Sequence, residues 1–282
     1  MYDRERRQFG QNFLVDPEVI RGIVDDVDPL PGGTVIEIGP GAAAITERLA
    51  ARAGRVVAIE IDPKWAEKLP RKVGTAASKL VVVNRDALLV DLDPWFEPHP
   101  GSEKPALCGN LPYNRASAIL IRFLPHIAHF RHFVFMVQWE VAKRVCAGPG
   151  SRNYGSLSVI VGNHARSEIR LHIGPDSFRP RPKVHSGTFR LVAREAPLEP
   201  DPAFPWFVRA AFRQKRKTLR NSLLMTFHAT DVDQAIEACG LPAGVRAEAL
   251  PIETFVALFH SLKPRIDAFQ ATSEDVDDEG DG

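Results

Sequence analysis

Short apolar runs alternate with helical periodicities through the first two-thirds of the chain. TVIEIG (Thr34 to Gly39) and RVVAIE (Arg55 to Glu60) are β-rich runs, and between them Ile45, Leu49 and Ala53 fall on one helical face. Together they predict a βαβ unit. Asp62 followed by Pro63 supplies an N-cap and a first-position Pro for the next helix. KLVVVN, KPALCGN and HFVFMVQ then read as a third, fourth and fifth strand, so the sheet is expected to be mostly parallel. In SEIRLHI, Ile169, Leu171 and Ile173 alternate with polar residues, and VHSGTFRLV is a second β-like run. These two predict an antiparallel pair closing one edge of the sheet. A first domain is expected over residues 1–193.

The pattern then changes. AREAPLEPDPAFP carries four prolines in thirteen residues, which predicts a stiff linker over 194–205. In WFVRAAFRQKRKTLRNSLL, Val208, Phe212, Leu219 and Leu223 fall near one side, while Arg209, Arg213, Arg216 and Arg220 recur at four, three and four. One helix with an apolar and a cationic face is the expectation. VDQAIEACG and PIETFVALFHSL add further short helices, which makes residues 206–268 a small helical domain. The final ten residues, SEDVDDEGDG, hold almost nothing apolar to bury, and the acidic tail over 269–282 is expected to be disordered.

Composition narrows the class. The 282 residues are 44% hydrophobic and 25% charged, with no apolar run near the length of a membrane span. The N-terminal MYDRERRQFG lacks the apolar core of a signal peptide, so a cytoplasmic protein is expected; a monomer is the separate expectation for its assembly. Cys108, Cys146 and Cys239 are far apart and form no CxxC pair, which argues against disulfides and zinc. His126, His129 and His132 recur at threes, but Pro125 interrupts the helix and no cysteine or carboxylate joins them; no metal is expected. The formal net charge of +1 averages two opposites. Arg213, Lys215, Arg216, Lys217 and Arg220 put five cations in eight residues, while the final ten residues hold six acids. A cationic run without a single acid is a phosphate-binding footprint and predicts an RNA partner.

The chemistry gathers at the strand ends. EIGPGAAAIT lies at the first strand-to-helix turn, where Gly39 and Gly41 let a ligand approach the backbone. Gly39, Gly41 and Ala44 fit G-x-G-x-x-G/A, and Glu60 stands about 20 residues on, placed to hold a ribose. This motif alone leaves NAD and S-adenosylmethionine open. Asp86 follows the third strand and Asn110 the fourth, and no hydride-transfer constellation accompanies them. Methyl transfer to an adenine accounts for more of these residues. The exocyclic N6 is a poor nucleophile because its lone pair is delocalised into the ring. The Asn110 side-chain oxygen and the Leu111 carbonyl can each accept one N6 hydrogen, and Tyr113 can stack on the purine.

At this point the chain resembles the small-subunit ribosomal RNA adenine N6,N6-dimethyltransferases. The resemblance runs through GQNFL, EIGPG, EID, NLPYN, FMVQWEVAKRV, RNYGSLSV, FRPRPKVHS and FRQKRKTLRNSL, about three-quarters of the chain. It implies a class I S-adenosylmethionine-dependent methyltransferase domain, Rossmann-like and α/β, with a small C-terminal α-helical domain. The activity it implies is dimethylation of two adjacent adenosines in 16S rRNA during ribosome biogenesis. It further implies that Gln11 and Asn12 flank the methionine moiety, Glu60 the ribose and Asp86 the cofactor adenine, with Leu14, Gly39, Gly41, Ile61, Ala87 and Asn110 completing that site. Asn110, Leu111 and Tyr113 would hold the target base, Phe178 would stack on its other face, and Pro180, Pro182 and Lys183 would shape that loop.

Three positions depart from the family pattern. Ala43 stands where a third glycine is common, and is expected to crowd the cofactor; Arg115 replaces an aliphatic residue and is expected to meet phosphate; His185 replaces an acid. Two rivals share much of the pattern: a large-subunit rRNA methyltransferase of the macrolide-resistance type, and a non-catalytic RNA-binding factor on the same scaffold.

Overall fold

The computed structural model describes residues 12–92 and 103–278, with side chains to 268. Gln11 lies outside them.

Asp16 opens the first full helix. Its side chain accepts from the Glu18 and Val19 amides at 3.0 and 3.3 Å, and Pro17 takes the first position of α1 (Pro17–Val27). Ile20, Ile23, Val24 and Val27 recur on one face and are buried with Val35, Leu49, Val56, Leu69 and Val134. Side chains of this size contribute about 1.5–3 kcal/mol each when fully buried. Ahead of α1, β1 (Phe13–Leu14) pairs antiparallel with β8 (Phe178–Arg179), a two-strand ribbon that no periodicity signalled.

The main sheet is built from β2 (Thr34–Ile38), β3 (Arg55–Ile59), β4 (Leu80–Val83), β5 (Ala106–Asn110), β6 (Phe133–Gln138), β7 (Ala165–Ile173) and β9 (Ser186–Ala193). Its order is β4-β3-β2-β5-β6-β9-β7. The pairs from β4 to β6 are parallel, and β9 is antiparallel to both of its neighbours. The expected antiparallel closing pair is therefore present, and β9 alone runs against the rest. Crossovers are made by α2 (Thr46–Arg52), α3 (Pro63–Val73) and α4 (Ala116–Phe123), and α5 (Trp139–Val145) follows β6. Asp62 caps α3 as expected, accepting from the Lys64 amide at 2.9 Å.

The chain divides into two units. One comprises the described residues up to Cys146 together with His164–Glu195; the other comprises Ala147–Asn163 and the described residues from Ala196. The boundary expected at 193 is near the final crossing, but the expected first domain is interrupted, because most of α6 (Ser156–His164) belongs to the helical unit. There the Tyr154 hydroxyl donates to the Leu250 carbonyl at 3.0 Å, and Asn163 exchanges two hydrogen bonds with Glu199 at 2.8 Å. The helical unit also contains α7 (Phe204–Ala211), α8 (Leu219–Leu223), α9 (Ala229–Ala238) and α10 (Ile252–Asp278).

Two expectations about this unit are corrected. The basic stretch is not one helix: α7 stops at Ala211, and α8 starts at Leu219 with Thr218 as its N-cap, accepting from the Asn221 amide at 3.2 Å. A threonine ahead of a short apolar-periodic segment is a start signal that the even spacing of arginines concealed. The acidic end is the other. α10 continues to Asp278, through residues expected to be disordered, since extending an existing helix fixes one residue per hydrogen bond gained.

Candidate active site

A cavity of about 410 Å³ opens at the carboxyl ends of β2 to β5, where the strand order reverses between β2 and β5. Its position follows from the parallel strands, which deliver their following loops to the same edge of the sheet.

The turn after β2 forms the first wall. Gly39 and Gly41 have φ of +68° and +51°, a region costly for residues with a Cβ. A Cβ added at Gly41 would also stand 3.3 Å from the Phe13 ring, which lines the cavity. Gly41 donates its amide to Glu60 Oε2 at 3.0 Å, and the Asp62 amide donates to Oε1 at 2.9 Å. Glu60 is thereby fixed at the end of β3, with one acceptor site left on each oxygen. Burial raises its pKa, and these backbone bonds oppose the rise.

Glu37, at the last inward position but one of β2, was not singled out by the sequence. It lines the cavity yet is only 2% exposed, and its Oε2 has no hydrogen-bond partner among the described residues. Burial, with Glu60 adding to it, raises its pKa to about 8. The detectable signal was an acid within an otherwise apolar strand.

Asp86 follows β4. Its Oδ1 accepts from the Leu88 amide at 2.9 Å, and its Oδ2 pairs with Arg115 Nη1 at 2.9 Å. Ile61 and Ala87 line the same region. Arg115, expected to meet phosphate, is here engaged with a carboxylate at the cavity.

The loop after β5 forms the opposite wall with Asn110, Leu111, Pro112 and Tyr113. Asn110 Nδ2 lies 3.4 Å from the Asn12 carbonyl. A carbonyl only accepts, so this contact turns the nitrogen towards Asn12 and the side-chain oxygen away from it. Leu111 donates its amide to the Met136 carbonyl at 3.0 Å, which ties the loop to β6. The Tyr113 hydroxyl bonds Ser186 Oγ at 2.8 Å and fixes the ring, and burial raises the phenol pKa. Ser186, fully buried, is a supporting residue legible only as the last letter of FRPRPKVHS.

The structure gathers Asn12, Leu14, Gly39, Gly41, Glu60, Ile61, Asp86, Ala87, Asn110, Leu111 and Tyr113 around this cavity. Phe178 does not line it. Its ring is 1% exposed in the core with Leu14, Ile20 and Ile173, where β8 pairs with β1. Ala43 is likewise displaced from its expected role: Ala42 and Ala44 line the cavity, while the Ala43 methyl is 2% exposed and faces the core. Ala43 also has φ of +69°, the conformation for which the family's glycine is suited. His185 stacks on His172 at 4.8 Å and 18°, and His172 lies 4.3 Å from Trp139. His132 bonds the Val27 carbonyl through Nε2 and Arg190 through Nδ1, both at 2.9 Å.

The donor set suits S-adenosylmethionine. Glycine backbone permits close approach, Glu60 offers acceptors to vicinal hydroxyls, Asp86 offers one to an amino group, and the buried Glu37 Oε2, without a partner among the described residues, suits a polar ligand atom. A sheet with one reversed strand next to its edge, and such a cavity over its switch point, is that of a class I S-adenosylmethionine-dependent methyltransferase.

The comparisons narrow the class. Residues 2–263 match the model of the ribosomal RNA adenine dimethylase family, and the chain belongs to that family. Among its relatives is the ribosomal RNA small subunit methyltransferase A of Acidobacterium capsulatum, 42% identical over 266 residues and covering 93% of both chains. The protein of that name from Aromatoleum aromaticum is 37% identical, over 90% of this chain and 93% of its own. Of solved structures, the 23S rRNA methyltransferase ErmE is similar at TM-score 0.65 and 27% identity, covering 89% of this chain and all of that one. A dimethyladenosine transferase from Plasmodium falciparum shares the fold at TM-score 0.75 and 23% identity, covering 89% and 98%. The chain is an S-adenosylmethionine-dependent rRNA adenine dimethyltransferase.

In the helical unit, Arg213, Lys215, Arg216 and Lys217 are exposed on the stretch between α7 and α8. Arg220 differs. Its Nε and Nη2 bond the two carboxylate oxygens of Asp233 at 2.6 and 2.9 Å. Among the described residues no helix is long and apolar enough to cross a membrane.

Proposed function

We propose that the chain dimethylates N6 of two adjacent adenosines in the 16S rRNA of the small ribosomal subunit, acting as a cytoplasmic monomer. The observation that carries this reading is the Asn110 amide, whose nitrogen is turned to Asn12 so that its oxygen is available to an amino group in the cavity.

S-adenosylmethionine, when bound, would supply an electrophilic methyl group and would keep the sulfur–carbon electron pair on sulfur as that methyl leaves. Glu60 and Asp86 would hold the ribose and adenine of the cofactor, in company with Asn12, Leu14, Ile61 and Ala87. The Asn110 oxygen and the Leu111 carbonyl draw the two N6 hydrogens out of conjugation, so the nitrogen lone pair becomes available and the positive charge developing on it is stabilised. The extra N6 proton then leaves to solvent, and no strong base is needed. Tyr113, held by Ser186, presents its ring to the purine. After one methyl the nitrogen keeps a hydrogen and a lone pair, so rotation about its bond to the ring and fresh cofactor permit the second transfer. Phe178 reaches the other face of the base only if its ring leaves the core. Arg213, Lys215, Arg216 and Lys217 contact RNA phosphates.

The deciding experiment supplies tritiated cofactor with unmethylated small subunits, large subunits and free rRNAs, followed by nucleoside analysis. Dimethyladenosine confined to the small-subunit RNA is expected. Label on the large-subunit RNA would favour the macrolide-resistance type, and no label at all the non-catalytic scaffold.

A further inference from the structure

The Arg115–Asp86 pair joins two loops that the proposed function uses for different ligands. Asp86 belongs to the loop after β4, at the end assigned to the cofactor adenine. Arg115 directly follows the loop assigned to the target base, and its placement is fixed from both sides: its amide donates to the Pro112 carbonyl at 2.9 Å, and its carbonyl accepts from Ile119 at 3.0 Å in the first turn of α4. One face of α4 holds the β4 loop twice. Seven residues further along that helix, Arg122 Nη2 donates to the Val90 carbonyl at 2.6 Å. Seven residues are about two turns, so the two arginines share that face.

We propose that Arg115 is a positioning residue for cofactor recognition, holding the Asp86 carboxylate in the orientation that receives the adenine amino group. The inference rests on the assignment of Asp86 to that adenine. A carboxylate has about four acceptor sites. The Leu88 amide occupies one site on Oδ1 and Arg115 one on Oδ2, each at 2.9 Å, so both oxygens are anchored while each retains a site for the cavity. An aspartate held in this way does not lose rotamer freedom when the ligand arrives, and that loss otherwise weakens binding. An aliphatic residue at position 115 has no donor and would leave Asp86 with its backbone contact alone.

The test is calorimetric titration with S-adenosylhomocysteine. This ligand lacks the sulfonium charge, so removing an arginine does not change a charge–charge repulsion with the methyl donor. Arg115→Leu, Arg115→Lys, Asp86→Ala and the double variant Asp86→Ala with Arg115→Leu are compared with the parent, and thermal melts establish that each is folded. Arg115→Leu is expected to weaken binding on the order of tenfold, the effect of roughly one oriented polar contact. Arg115→Lys should recover part of it, since an ammonium can hold one oxygen. The double variant should bind no more weakly than Asp86→Ala, because Arg115 acts only through that carboxylate. Arg115→Leu binding as tightly as the parent, or more tightly, overturns the inference; in the second case the arginine competes with the adenine. An additive double variant overturns it as well. Unchanged affinity in Asp86→Ala refutes instead the assignment of Asp86, a result distinguishable from failure of Arg115 alone.

Discussion

At residue scale, the proposed methyl transfer rests on Asn110. Asn110→Ala removes an acceptor whose value lies mainly in the transition state, so turnover should fall by about 10² to 10³ while affinity for S-adenosylhomocysteine changes far less. Single-turnover methylation beside calorimetry separates the two. Ala43 gives a stability prediction of opposite origin. Its φ of +69° costs an L-residue roughly 1–2 kcal/mol, whereas loss of its buried methyl forfeits about 0.8 kcal/mol. Ala43→Gly should therefore raise the melting temperature slightly and leave cofactor affinity unchanged, since the methyl faces the core; a fall in melting temperature would show that packing outweighs backbone strain. Glu37 sets a pH dependence. Its folded pKa of about 8 exceeds the ordinary 4.5, so its contribution to stability is complete below pH 4.5 and is lost as pH rises through 8. Glu37→Gln should consequently be more stable than the parent at pH 9, by up to a few kcal/mol, with the advantage shrinking towards pH 5. Parallel melts across that range decide it.

At the scale of elements, the basic stretch between α7 and α8 replaces the expected cationic helix face. Changing Arg213, Lys215, Arg216 and Lys217 to Gln should flatten the salt dependence of RNA binding by about 0.7 to 0.9 log units per lost phosphate contact. Arg220→Gln should change it less, because Asp233 already engages that guanidinium. Filter binding at several salt concentrations compares the two variants, and equal slopes for both and for the parent would reduce the stretch to a solvated surface. Legibility of the sequence varied with the range of the interaction. The strands β2 to β6 were evident because each is a short apolar run bounded by turn residues, and the Gly39–Gly41 turn because glycine there meets a backbone requirement. The β1–β8 ribbon, the Tyr113–Ser186 bond and the Arg115–Asp86 pair were not. Their partners lie tens to well over a hundred residues apart and alter no local periodicity. Phe178 shows the converse: a motif marked the residue, but only packing revealed that its ring is in the core.

For the whole molecule, the division between the units matters more than the Pro-rich linker suggested. The chain leaves the first unit after Cys146, returns at His164 and leaves again after Glu195. A fragment of residues 1–195 would therefore carry the buried Tyr154 without the Leu250 carbonyl it donates to and the Phe212 ring beside it, and the buried Asn163 without Glu199. It should be poorly soluble although it contains every strand of the sheet. Sedimentation of that fragment beside the full chain measures this, and a monomeric, cooperatively melting fragment would contradict it.

The same threading imposes an order on synthesis. Gly162 of α6 abuts the side chain of Ile252, at the start of α10, so closely that a methyl group there would require the Ile252 Cδ1 to shift. About 90 residues separate these neighbours in the chain, and translation at roughly 5–20 residues per second spaces their emergence by about 5–20 s. During that interval α6 has been made while Ile252, which its Gly162 abuts, has not. The segment between Cys146 and His164 is accordingly where a nascent-chain chaperone should be found, and crosslinking should detect that contact on stalled ribosomes and lose it in the released, folded chain.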